Sequence, residues 1–186
     1  MKFYLTRHCE TDWTRVGRLQ GFTDTNLNGK GWMQAEELAL KLRALDIKKI
    51  ISSDLKRSME TASVLEKYIK VPVLSDARLR ECSFGTLEGK MKDEVMKIYK
   101  PRTVNIDGLW HGSFFVFFFT EFGGESRDQV LRRQLSLLDR LYIDDEPAPI
   151  LLVGHGTSLN TLVTHLKRPQ VDRGEYVEIE YPVQVV

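Results

Sequence analysis

The chain has 186 residues, with 27 Lys and Arg against 26 Asp and Glu and 42% apolar residues, which supports a packed core and excludes a largely disordered chain. A net charge of +1 offers no broad attraction to nucleic acid or anionic lipid, so any basic site must be local. The longest apolar run, residues 114–119, is far short of the roughly 20 residues of a membrane span, and two Cys without repeat spacing exclude a disulfide scaffold or a Cys-based zinc site.

Residues 2–6 are β-rich and end at the charged cluster Arg7-His8-Cys9-Glu10, which comes too early for a signal peptide and points to a cytoplasmic protein. Residues 17–31 read as a polar, Gly-containing loop. From residue 32 to 45, Ala35, Leu38, Leu42 and Leu45 recur at three- and four-residue steps, which predicts a helix with one buried stripe. Residues 49–52 predict a short buried strand, and Asp54 an N-cap for a helix whose apolar face carries Ala62, Leu65 and Ile69. Residues 71–74 predict a third strand, with Pro72 favouring a strand start or sheet edge. Another periodic helix spans 126–141. Residues 150–153 form the most hydrophobic strand candidate and run into Gly154-His155-Gly156, after which Leu159, Leu162, Val163 and Leu166 share one helical face. The tail from residue 176 alternates enough for one or two last strands.

Strands alternating with helices imply one α/β domain, residues 1–186, with a mostly parallel central sheet flanked by helices in a three-layer sandwich. Residues 89–125 resist the pattern and read as a variable, cap-like insertion. In such sheets ligands sit beyond the carboxyl ends of the strands. Three polar clusters fall there: Arg7 with His8, Ser52-Ser53-Asp54 with Arg57, and Gly154-His155-Gly156. Two His and two Arg at one sheet edge suggest an anion site, because guanidinium forks match phosphoryl oxygens and helix N-termini add positive potential. A neutral imidazole among cations is a competent nucleophile, which suits phosphoryl transfer to histidine.

Arg7-His8-Cys9-Glu10-Thr11 resembles the Arg-His-Gly-Glu/Gln-Ser/Thr signature of the histidine phosphatase superfamily, which includes cofactor-dependent phosphoglycerate mutases. Gly17-Arg18-Leu19-Gln20-Gly21, Ser52 to Arg57 with Thr61-Ala62, Leu79-Arg80-Glu81, Leu87-Glu88-Gly89, Gly124-Glu125-Ser126 and Gly154-His155-Gly156 follow in that family's order. The resemblance implies a phosphoglycerate mutase-like fold and a phosphomonoester hydrolase. By matching position, His8 is the residue that becomes phosphorylated, and Arg7, Arg57 and His155 grip the phosphoryl group. Glu81 is the general acid and base, and Thr14, Gln20, Gly21, Gly156 and Thr157 contact phosphate or substrate. It implies neither metal nor cofactor, and a phosphorylated small molecule as substrate. Mutase or bisphosphatase chemistry, or a weakly active phospho-ligand binder, are the alternatives. The short chain, and an insertion without a run of basic residues to hold a second anionic group, favour the phosphatase.

Cys9 stands where the family has Gly, so its side chain is expected to crowd the pocket. A thiol beside Arg7 is expected to have a lowered pKa and to be oxidised readily. Cys9 and Arg15 also fit a Cys-x5-Arg loop, the basis of a rival cysteine mechanism, although the intervening Glu10 and Asp12 suit an anion cradle poorly. Cys82 reads as a buried filler, Lys48-Lys49 and Arg132-Arg133 as solvated charges, and His111 and His165 as isolated histidines. The aromatic run at 114–119 reads as core, as an aromatic cap favouring bulky esters, with Phe117 and Phe118 as its test positions, or as the interface of a homodimer.

Overall fold

The computed structural model describes residues 1–99 and 119–182. Among these, β1 (Lys2–Arg7), β2 (Lys49–Ser52), β3 (Val73–Ser75), β4 (Ile150–Gly154) and β5 (Tyr176–Glu180) form one sheet in the order β3-β2-β4-β1-β5. The first four run parallel, and β5 closes the edge antiparallel to β1. The predicted α/β architecture is therefore the observed one.

Alternation along the strands builds the two cores, since successive side chains leave opposite faces of a sheet. Phe3, Leu5, Ile150 and Leu152 face α5 (Arg127–Ile143) and α6 (Gly156–His165), where they meet Leu137, Leu138, Leu159 and Leu162. Tyr4, Ile50, Leu151 and Val153 face α2 (Gly29–Leu42) and α3 (Lys56–Ile69), against Leu38, Leu42, Ala62 and Leu65. β4 is buried along its whole length, as its unbroken apolar run requires of a central parallel strand. The helices start where local chemistry allows. Asn28 caps α2 by accepting from Gly31 N–H, and Ser126 forms a capping box with Gln129 on α5.

The N-cap of α3 departs from expectation. Leu55 occupies it without a side-chain bond, because Asp54 is drawn into a two-bond pair with Arg80 at 2.7 and 2.5 Å. Asp24 from the preceding loop instead accepts from Lys56 N–H at 2.7 Å. Of the 89–125 segment, α4 (Lys92–Tyr99) and a 3-10 turn at Phe119–Phe122 fall among the described residues. Phe119 is buried against Phe84, ring centroids 4.5 Å apart, so the last member of the aromatic run is core. Phe117, Phe118 and His111 lie outside the described residues. Cys82 is fully buried, as expected, and His165 is exposed at the end of α6.

Candidate active site

β1 ends at Arg7, and His8 N–H continues the ladder by donating to Gly154 O at 2.9 Å. This pairing brings the clusters after β1 and β4 together: the rings of His8 and His155 lie 5.1 Å apart, centroid to centroid. His8 Nδ1 donates to Cys9 O at 2.7 Å, which settles the tautomer and leaves Nε2 without a proton. His155 Nε2 lies 2.8 Å from Ser53 Oγ and 3.4 Å from Ser58 Oγ. Its Nδ1 is buried and without a partner among the described residues, and in the tautomer whose Nε2 accepts from the serine hydroxyls it is the nitrogen that carries the proton.

Arg57, in the first turn of α3, is fully buried. Its Nη1 donates to Thr23 O at 2.9 Å and its Nη2 to Gly21 O at 2.7 Å, while Nε has no acceptor among the described residues. The Arg7 side chain makes no hydrogen bond or ion pair among the described residues, and its Nε is likewise buried. Its guanidinium lies against the backbone of Gly156, where an added Cβ would come within 2.4 Å of Nη2, so glycine is needed for that approach. Gly21, at φ +55, turns its carbonyl towards Arg57, and a Cβ there would meet Glu88 Oε1 at 2.2 Å. Glu88 holds this loop by accepting from Phe22 N–H at 3.0 Å and from Thr23 N–H at 2.9 Å.

Buried donors without acceptors are costly. Here Arg7 Nε and Arg57 Nε are in that condition among the described residues, with the unpartnered Nδ1 of His155 beside them, and the set suits an anion with several oxygens. Burial first, then Arg57 and Arg7, drives the pKa of His8 well below its ordinary 6.5; burial, then Arg57, does the same to His155. Both rings are therefore neutral in the folded protein and become protonated in the unfolded chain as pH falls below 6.5. Because the unfolded state binds more protons in that window, stability falls on acidification by roughly 1.4 kcal/mol per pH unit for each histidine. Thermal melts are expected to be flat between pH 7 and 8 and to decline from 6.5 to 5, with a shallower decline in His8→Gln. A wild-type melting temperature independent of pH across that window contradicts the buried neutral pair.

Glu81 reaches the same place from the segment after β3. Its Oε1 accepts from Cys82 N–H at 2.9 Å and Ser158 N–H at 2.8 Å, and its Oε2 from Thr157 N–H at 3.1 Å. A carboxylate at the N-terminus of α6 is the favourable arrangement for a helix dipole. It also means that these two amides serve Glu81 rather than an incoming anion. Arg133 holds the segment from behind. Its guanidinium makes a two-bond pair with Glu125 at 2.9 and 3.0 Å and donates to the carbonyls of Glu81 at 2.8 Å and Arg78 at 2.6 Å. The expectation that Arg133 is a solvated charge is corrected: carbonyls left open by the turn around Glu81 need this donor. Lys49 likewise pairs with Glu146 in a half-buried bridge.

The binding positions divide. Gln20 is buried, and its oxygen accepts from Thr11 Oγ1 at 2.8 Å and from Thr25 Oγ1, so its amide nitrogen is the end free for a ligand. Thr14 completes the capping box of the short helix α1 (Asp12–Arg15) with Thr11, which ties up its hydroxyl locally. Thr157 contributes its N–H to Glu81, as above, and keeps only its hydroxyl.

Cys9 overturns the expectations placed on it. Its side chain does not crowd the pocket but packs in a small core with Leu27, Ala35 and Val64. Its thiol is pushed up to about 11, chiefly by burial. A protonated, enclosed thiol is neither readily oxidised nor a nucleophile. Arg15, the other half of the Cys-x5-Arg reading, is exposed and pairs with Asp12, so the cysteine mechanism has no site. Ser53, Ser58, Glu88, Glu125 and Arg133 are supporting residues that sequence reasoning left without roles. All but Arg133 stood within or beside the quoted motifs.

The profile of the histidine phosphatase superfamily (branch 1) matches residues 3–185. A relative described as probable phosphoglycerate mutase GpmB, from Enterobacter sp. (strain 638), is 34% identical over 166 residues, 88% of this chain and 74% of its own length. The structure of a mycobacterial glucosyl-3-phosphoglycerate phosphatase complexed with VO3 superposes with a TM-score of 0.81 at 27% identity, over 96% of this chain and 92% of that one. A phosphoglycerate mutase from Bacillus anthracis str. Sterne reaches 0.85 at 24% identity, over 96% and 86% of the two chains, and supports the fold alone. With its profile matched almost end to end, the chain belongs to the histidine phosphatase superfamily, branch 1.

Proposed function

We propose that the protein hydrolyses a phosphomonoester of a small molecule through a phosphohistidine on His8. The observation that carries this reading is the bare Nε2 of His8, its other nitrogen tied to Cys9 O, next to buried donors of Arg7, Arg57 and His155 that lack acceptors. Those donors hold the phosphoryl oxygens. Nε2 attacks phosphorus, the bond to the ester oxygen breaks, and Glu81 delivers a proton to the departing oxygen. In the second half, the Glu81 carboxylate takes a proton from water as that water attacks phosphorus, releasing inorganic phosphate and restoring His8.

This assignment makes Glu81→Gln selective. Measured as kcat/KM, which reports the phosphorylation half-reaction, the variant is expected to lose about 10²-fold or more on alkyl phosphates and less than about tenfold on p-nitrophenyl phosphate, since poor leaving groups need the proton most. Equal losses on both would remove Glu81 from the acid role.

The likeness to relatives described as mutases supports a second reading, in which phosphohistidine returns its group to a bound hydroxyl rather than to water. Incubation with 3-phosphoglycerate separates the two: release of inorganic phosphate supports the hydrolase, and accumulation of 2-phosphoglycerate the mutase. Phosphate binding without either product would identify a binding member of the family.

A further inference from the structure

The turn that follows α6 carries Arg173 to the carboxyl end of β1. In the register of β5 on β1, Tyr176 stands opposite Thr6, one residue short of Arg7, so residues 171–175 lie beside the segment that bears the site. The turn is pinned. Val171 N–H donates to Asn160 Oδ1 at 2.9 Å, Thr6 Oγ1 donates to Glu175 O at 2.7 Å, and Lys41 Nζ donates to Gly174 O at 3.0 Å.

Held in this way, Arg173 makes no hydrogen bond or ion pair among the described residues, and its Nε is buried. The acidic group nearest in charge is already committed elsewhere: Glu10 accepts from Asn28 Nδ2 at 3.1 Å and pairs with Lys30 at 3.5 Å. The charge of Arg173 is felt at Arg7, His8 and Lys92, each of which it makes less basic. A guanidinium keeps its proton. Arg7 and Arg173 therefore stand as like charges, and although Glu81 and Asp172 act on Arg7 and Glu10 on Arg173, no carboxylate among the described residues forms an ion pair with either guanidinium, a cost that a bound anion would offset.

The transferred phosphoryl group already has Arg7, Arg57 and His155 as its donors, which leaves Arg173 for something else. We propose, resting on the phosphomonoester reading above, that Arg173 receives a second anionic group, a carboxylate or a second phosphate, on the part of the substrate that is not transferred. The insertion contributes no run of basic residues for that purpose; its Lys92 also lies in the field of Arg7 and Arg173, whereas the cation without a bonded partner among the described residues comes from the C-terminal turn. The preferred substrate class is then a phosphomonoester whose alcohol portion is itself negatively charged.

The test compares 3-phosphoglycerate and propane-1,3-diol bisphosphate with glycerol 3-phosphate, which lacks the second charge. Arg173→Gln is expected to lose about tenfold or more in kcat/KM on at least one of the charged esters, through KM. It should stay within about twofold of wild type on glycerol 3-phosphate, as for removal of a charge-assisted hydrogen bond. Arg173→Lys should recover part of the loss, and comparable melting temperatures exclude misfolding. A selective loss on 3-phosphoglycerate identifies a carboxylate, and one on the bisphosphate a phosphate. Equal loss on all three esters, or none on any, overturns the proposal. Titrating the same compounds into His8→Ala and His8→Ala/Arg173→Gln proteins reads the preference without turnover. If wild-type protein hydrolyses nothing, the hydrolase reading fails, and the titrations still decide the role of Arg173.

Discussion

His8→Ala protein is expected to retain at most roughly 10⁻⁴ of the wild-type kcat/KM on any phosphomonoester, because the covalent route disappears and the remaining donors only bind. The same variant should form no acid-labile, alkali-stable phosphoprotein when wild type is trapped in the act of turnover. The reason lies in one hydrogen bond. With Nδ1 donating to Cys9 O, lone-pair density is confined to Nε2, and burial beside Arg57 and Arg7 keeps the ring neutral. Among the described residues, no other side chain combines these properties. His155 is equally neutral, but its Nε2 is engaged by Ser53 and Ser58. Retention of activity within about tenfold, or a trapped phosphoenzyme of unchanged stoichiometry, would place the nucleophile elsewhere.

Arg57→Lys is expected to cost about 10²-fold in kcat/KM despite conserving charge, since a point charge does not replace a planar fork. Arg57 divides its donors: Nη1 and Nη2 serve the carbonyls of Thr23 and Gly21, and Nε is left for the ligand. An ammonium satisfies a carbonyl or the anion but cannot span all three. Stability should fall as well, by about 1.5–3 kcal/mol if one charged hydrogen bond is lost, while Glu88 still holds residues 22 and 23. Activity against aryl phosphate together with a thermal melt checks both parts. A variant within about threefold of wild type would show that the fork is dispensable.

Much of this arrangement was legible in local patterns. Each apolar strand and each periodic helix was found near its predicted place, because burial imposes a period of two or 3.6 on neighbouring residues. His8, Arg57 and His155 could be named because each follows a recognisable element at the sheet end where parallel folds gather ligands, and Glu81 only through its place in the family's motif order. The misreadings share a cause. Asp54 had the composition of a cap, yet Arg80, 26 residues on, claims it. Cys9 was judged by its neighbours in the chain, Arg7 above all, whereas its side chain points among Leu27, Ala35 and Val64. Arg133 looked like surface charge until the Glu81 carbonyl and the Glu125 carboxylate converged on it.

What the order of residues settled alone was therefore the list of elements, their layering and the chemical kinds present at the sheet edge. Those follow from periodicity and from connections that run through the chain itself. Which nitrogen of His8 is bare, which arginine donors are left over and which thiol is enclosed were decided by contacts between segments distant in sequence. A hydrogen bond depends on ångström-scale position and on competing partners. Neither is encoded within a single strand, helix or motif, and both exist only once the sheet has brought them together.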